Sequence, residues 1–168
     1  MAVTVQLRNG SRTPRHEHAA RLVLEVILGL EWRWVETDGE VVMPDSELLA
    51  SEVRLTNPPS MPWKGWTVPF VQGGQLDPFA LAFWMATRME EWGEGARDDH
   101  GRFLGANGWA ARHGVLERPV LEEVVRAWAL EAGMPAPTPR PWTWWATVDV
   151  DNAFAYRLTP ACRKVAGF

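Results

Sequence analysis

The chain opens on a strict alternation in which Val3, Val5 and Leu7 are apolar and Thr4 and Gln6 are polar, and Asn9-Gly10-Ser11 then breaks the run. Period two puts the apolar positions on one face, so this pattern predicts a short first strand. The period then lengthens. Thr13 is placed to cap a helix with Pro14 at its first position, Ala19, Leu22, Val23, Val26, Ile27 and Leu30 form its apolar stripe, and Gly29 is placed to stop it. Glu31 to Glu36 and Glu40 to Met43, separated by Thr37-Asp38-Gly39, read as a hairpin because an Asp-Gly pair suits a tight turn. Glu52 to Thr56 is a further short strand candidate.

Residues Asn57 to Gly74 carry Pro58, Pro59, Pro62 and Pro69, and they are expected to form an irregular loop that presents Trp63 and Trp66. Helical spacing returns at Asp77, a cap followed by Pro78, and continues from Phe79 to Trp92 before Gly93. A polar loop follows to Gly105, then a short helix around Asn107 to His113 that Gly114 ends. Pro119 starts another helix that runs to Gly133, with Leu121, Val124, Val125 and Trp128 on one face. Met134 to Pro141 contains four prolines and reads as a semi-rigid linker. The pattern therefore predicts a mixed α+β (α/β) fold, one small sheet packed with about four helices. Its expected organisation is a domain over 1–134, a linker over 135–141 and a separate final segment over 142–168. No internal repeat or low-complexity tract is visible.

Composition narrows the function classes. With 46% hydrophobic residues in 168, the chain can bury one core. Eleven tryptophans against a single tyrosine is an excess that fits core residues for the most part and, for the rest, flat platforms for sugar rings or bases. The formal charge of −4 with scattered basic residues offers no stripe to neutralise a phosphate backbone, so no nucleic acid partner is expected. Cys162 has no second cysteine to pair with, which fits a reducing compartment. Met1 to Arg8 shows no export signal, and the apolar stretch Ala19 to Leu30 is interrupted by Arg21 and Glu25 and is too short to span a bilayer. A cytoplasmic protein without membrane contact is expected.

The densest chemistry lies in Trp144-Trp145-Ala146-Thr147-Val148-Asp149-Val150-Asp151-Asn152. If this is a strand, Asp149 and Asp151 share a face with Cα atoms about 6.5 to 7 Å apart, close enough for both to reach one water or one cation. Buried carboxylates need such a partner, because desolvating them costs several kcal/mol. The alternative is a strand that runs out into solvent, with Asp151-Asn152 opening a turn. The histidines are weaker candidates. His16 and His18 are two apart on a helix and point away from each other, so they read as solvated side chains; His100 reads as part of a surface turn, and His113 as a cation at a helix end. Arg88, Glu90 and Glu91 form a charge cluster in which Arg88 and Glu91 can pair. Ser46, Ser51 and Ser60 lie in no nucleophile motif, and Gly73-Gly74 precedes no phosphate-loop lysine.

Five blocks taken together resemble a known arrangement: Asp77-Pro78-Phe79-Ala80, Thr87-Arg88-Met89-Glu90-Glu91-Trp92, Asp99-His100-Gly101-Arg102-Phe103, Gly114-Val115-Leu116-Glu117-Arg118-Pro119, and Thr147 to Tyr156. In order and spacing they are similar to the N-terminal domain of bacterial polysaccharide-deacetylase-like proteins, and the similarity runs from the first helix onward. The resemblance implies an α/β domain ahead of a deacetylase barrel whose first strand would begin at Thr147. Relatives begin that strand with Thr-x-Asp-Asp, which aligns Asp149 with the catalytic base. Asp151 is offset by one residue from the metal ligand. The implied cofactor is a divalent metal, zinc or similar. The relatives complete their metal site with two downstream histidines, whereas all four histidines here lie upstream of Asp149. The resemblance thus implies either the N-terminal piece of a longer hydrolase or a short relative without the barrel, inactive by itself. Its partner would be the missing barrel, in cis or as a separate chain covering the same face. A rival expectation is a non-catalytic carbohydrate-binding or protein-interaction module with Trp63, Trp66 and Trp145, and Trp142 beside them, as stacking platforms.

Overall fold

The computed structural model describes residues 2–135 and 143–147. The first strand, β1 (Val3–Leu7), lies where the alternation put it, with Val3 and Val5 buried. The helix after it starts as predicted. α1 (Pro14–Ala20) is capped by Thr13 in a reciprocal box: the Thr13 hydroxyl accepts the His16 N–H (3.4 Å), and His16 Nδ1 accepts the Thr13 N–H (3.2 Å). From Arg21 to Ile27 the same helix continues with π winding, and the Leu28 N–H reaches back five residues to the Val23 carbonyl (3.1 Å). This wider turn rewrites the predicted stripe. Burial recurs in adjacent pairs four residues apart, Ala19/Ala20, Val23/Leu24 and Ile27/Leu28, whereas Val26 is turned outward. A second correction concerns His16, which is buried inside the cap rather than solvated.

The expected hairpin is absent. β2 (Trp32–Trp34) and β3 (Val41–Met43) both run parallel to β1 and flank it, giving the order β2-β1-β3. β2 pairs with the first half of β1, Val3 to Val5, and β3 with the second half, Val5 to Leu7. The six residues between them therefore cross β1 at the level of Val5. Glu40 and Gly39 are bound to the strand they cross: the Thr4 N–H donates to Glu40 Oε2 (2.8 Å), and the Gly39 N–H donates to Gln6 Oε1 (3.1 Å). The Asp-Gly pair supplies a left-handed turn here too, with Asp38 at φ 55°, yet it serves a crossover.

After the short helix α2 (Glu47–Ala50), the expected irregular loop is two consecutive hairpins. β4 (Ser60–Trp63) pairs with β5 (Trp66–Pro69), and β6 (Val71–Gln72) pairs with β7 (Gln75–Leu76), both antiparallel. Lys64-Gly65 and Gly73-Gly74, all at positive φ, make the two tight turns. Pro62 and Pro69 sit on these small edge ribbons, where a missing N–H is tolerated. The Glu52 to Thr56 candidate forms no strand.

α3 (Pro78–Ala86) is the centre of the molecule, and every residue from Pro78 to Trp84 is buried. It packs against α1, the π-wound segment, α2 and α5 (Val120–Glu131), which is why its sequence is apolar all round. The predicted continuation to Trp92 is broken by Arg88 at φ 49°, after which Met89–Trp92 form a 3₁₀ turn. A further 3₁₀ turn (Gly105–Asn107) and α4 (Trp109–Arg112) precede Gly114, which is at φ 65°, and α5 follows. The mixed α+β class is as expected. Residues 143–147, where the final strand was expected to begin, have no regular structure, and the remainder of that strand lies outside the described residues.

Candidate functional site

Because β1 and β3 are parallel, their carboxyl ends open on the same edge, and the Arg8 N–H donates to the Met43 carbonyl across it (3.2 Å). This is the edge at which open α/β sheets place ligands. A cleft of about 610 Å³ lies there, within the usual range for small-molecule sites. Arg8 enters it from the end of β1, Asp45 and Ser46 from the end of β3, and Phe70, Gln72, Gln75 and Asp77 from the second hairpin and the start of α3. Leu55, Pro58, Pro59 and Leu76 complete an apolar wall.

Asp77 holds the N-terminus of α3, and its Oδ1 accepts the N–H groups of Phe79 (3.0 Å) and Ala80 (2.9 Å). Burial pushes its carboxyl up to about 6, against the downward pull of those two bonds. Among the described residues Oδ2 has no hydrogen-bond partner, yet no buried side-chain oxygen there lacks one, so Oδ2 is not fully enclosed, and Asp77 lines the cleft. The side chains of Arg8, Gln72 and Gln75 make no hydrogen bond within the described residues. Asp45 is engaged once, by Asn9 Nδ2 (2.7 Å).

Phe70 joins the two hairpins at φ 63°, a conformation that costs a bulky residue about 1 to 3 kcal/mol. Two contacts hold it there. The Asp77 N–H donates to its carbonyl (2.9 Å), and its ring meets the edge of Trp84 at 6.2 Å. The strained residue and the perturbed carboxyl are thus tied together on one wall. A second cleft, lined by Asn57, Glu90 and Arg112, is less open to chemistry because these groups already pair: Glu90 accepts the Trp109 N–H (2.5 Å), and Arg112 donates to Asn57 (3.2 Å).

The residues singled out from sequence fall only partly among the described residues. Asp149, Asp151 and Trp142 lie outside the described residues. Trp63 is 5% exposed, stacked on Trp66 at 5.9 Å with Lys64 over its ring, so it is a core residue and offers no free face. Trp66 is half-buried and donates to Glu123 (3.3 Å). Trp144 and Trp145 are 76% and 81% exposed. Arg88 and Glu91 form the expected pair (2.8 Å), and His113 packs against Trp109 at 5.1 Å. No three His, Cys, Asp or Glu side chains converge on a metal position among the described residues, so the implied cation has no second set of ligands there. Among the described residues no helix is long and apolar enough to cross a membrane.

Sequence reasoning missed Arg8, Asp45 and Phe70 and took Asp77 as a cap only. The available signal was strand direction: once β3 is parallel to β1, Arg8 and Asp45 each follow a carboxyl end. A family model, described as a family of unknown function (DUF7033), matches residues 5–130. No curated protein and no solved structure matches the chain.

Proposed function

The chain belongs to DUF7033, a family of unknown function, and we propose that it is the accessory N-terminal domain of a polysaccharide-deacetylase-like hydrolase, without turnover of its own. The observation that carries this reading is where the fold closes. Among the described residues, the last core residue is Ala129, and Met134 is the last side chain packed against that core. The family match ends at the same place, residue 130. In the sequence, the block Thr147 to Asp151 follows this unit across the proline-rich segment 135–141. Such an order suits a self-contained domain ahead of a second one. Asp149 as base and Asp151 as metal ligand belong to that second domain in this reading. A divalent cation held there would lower the pKa of a bound water.

Acetate release from N-acetylated oligosaccharides, assayed with the 168-residue chain and added zinc, tests this directly. No release is expected, and clear turnover overturns the proposal. In a longer polypeptide whose sequence continues past Phe168 with histidines, release is expected and should be lost in Asp149→Asn. Deleting residues 136–168 should leave the melting temperature within about 2 °C, since no described core contact is removed.

A further inference from the structure

We infer that the cleft between the carboxyl ends of β1 and β3 and the second hairpin is a binding site for a neutral saccharide. The inference deepens the accessory-domain reading, and it rests on that reading only for the kind of polymer. The lining itself selects the ligand chemistry. Among the described residues, no protein group uses the donors and amide acceptors of Arg8, Gln72 and Gln75, and none binds Asp77 Oδ2. A free anion such as phosphate meets, among the described residues, Asp45 and Asp77 against the single lining cation Arg8, so charge opposes it. A wholly apolar ligand would strip water from these polar groups and leave them unpaired, at a cost of about 1 to 3 kcal/mol each. A metal ion finds no three converging ligands among the described residues.

A sugar ring answers both walls. Each hydroxyl donates and accepts at once, which suits a mixed set of carboxylate, amide and guanidinium groups, while the C–H face of the ring lies on an apolar surface such as Leu76 and Pro58. Phe70 supports the assignment independently. Backbone strain of this kind concentrates where a ligand is gripped, and it stands on the wall that aims Asp77 into the cleft.

Titration calorimetry of the 168-residue chain with N-acetylglucosamine tetramer and with cellotetraose, beside inorganic phosphate, tests the site. Saturable heat is expected with at least one oligosaccharide and none with phosphate. Asp77→Asn keeps the helix cap, and Gln75→Ala alters an exposed side chain; each should weaken saccharide binding about tenfold, Gln75→Ala with an unchanged melting temperature and Asp77→Asn without lowering it. Absence of binding to both sugars, a preference for phosphate, or sugar binding that survives both variants and disappears in Trp145→Ala overturns the inference. The two proposals fail separately: a longer polypeptide that releases acetate while the cleft binds no sugar loses only this one, and a chain that binds sugar while its longer form is inert loses only the accessory-domain reading.

Discussion

Gly39 rests on Gln6 so closely that a Cβ added to Gly39 would stand 2.7 Å from the Gln6 Cβ and 2.8 Å from its backbone nitrogen. Nothing near it is a flexible tip that could move aside. The segment from β2 to β3 crosses β1 on this contact, so Gly39→Ala must lift the crossover off the strand and loosen the Gly39 and Glu40 hydrogen bonds with it. A loss of about 1 to 3 kcal/mol is expected in urea unfolding, and a loss below about 0.5 kcal/mol would show that the crossover does not lie on β1 as described.

Trp63 and Trp145 should separate cleanly. The buried, stacked Trp63 should cost about 3 to 5 kcal/mol when replaced by alanine, whereas Trp145→Ala, at an exposed position, should change stability by less than about 0.5 kcal/mol. Equal effects in chemical denaturation would contradict the placement of both.

Asp77 carries a pH signature with a definite sign. Its folded-state pKa is raised from 3.8 to about 6, so between those values the folded chain binds more protons than the unfolded one and stability falls as pH rises. The penalty is complete above about pH 6 and amounts to roughly 3 kcal/mol at most. Asp77→Asn keeps the cap and removes the ionisation, so its stability relative to wild type should climb from pH 4 to pH 7. A flat difference across that range would remove the case for a desolvated carboxyl. Asp77→Ala, which loses the cap as well, should fall below Asp77→Asn by about 1 kcal/mol.

His16 should act in the opposite direction. Burial lowers its pKa below the ordinary 6.5, so the unfolded chain takes up the proton first and the fold loses stability as pH drops from 6.5 through the lowered value. The neutral ring is the form whose Nδ1 can accept the Thr13 N–H (3.2 Å). In His16→Gln, where an amide can take over the capping box, this part of the acid slope should vanish whatever the variant's absolute stability. A slope unchanged in His16→Gln would place the titrating group elsewhere. Asp77→Asn and His16→Gln are to be measured separately because their slopes have opposite signs.

Trp84 donates its indole N–H to the Leu55 carbonyl at 2.6 Å from within the core. Trp84→Phe leaves that carbonyl without its partner and a void beside Phe70, so about 2 to 4 kcal/mol should be lost. A retained melting temperature would mean that the Leu55 segment finds water instead.

Local interactions were legible in the chain. Val3, Val5 and Leu7 alternate because a strand's side chains must, and Thr13-Pro14 and Asp77-Pro78 start helices because their donors and fixed φ work within four residues. The same logic led to an error wherever one local motif serves two global arrangements. Thr37-Asp38-Gly39 turns the chain equally well in a hairpin and in a crossover, and only the fit of Gly39 onto Gln6 decides between them. Tertiary packing likewise set the π winding that turned Val26 outward and buried His16. It also brought Arg8, Asp45 and Asp77 to one cleft, since residues so far apart in sequence meet only once the strand directions are fixed.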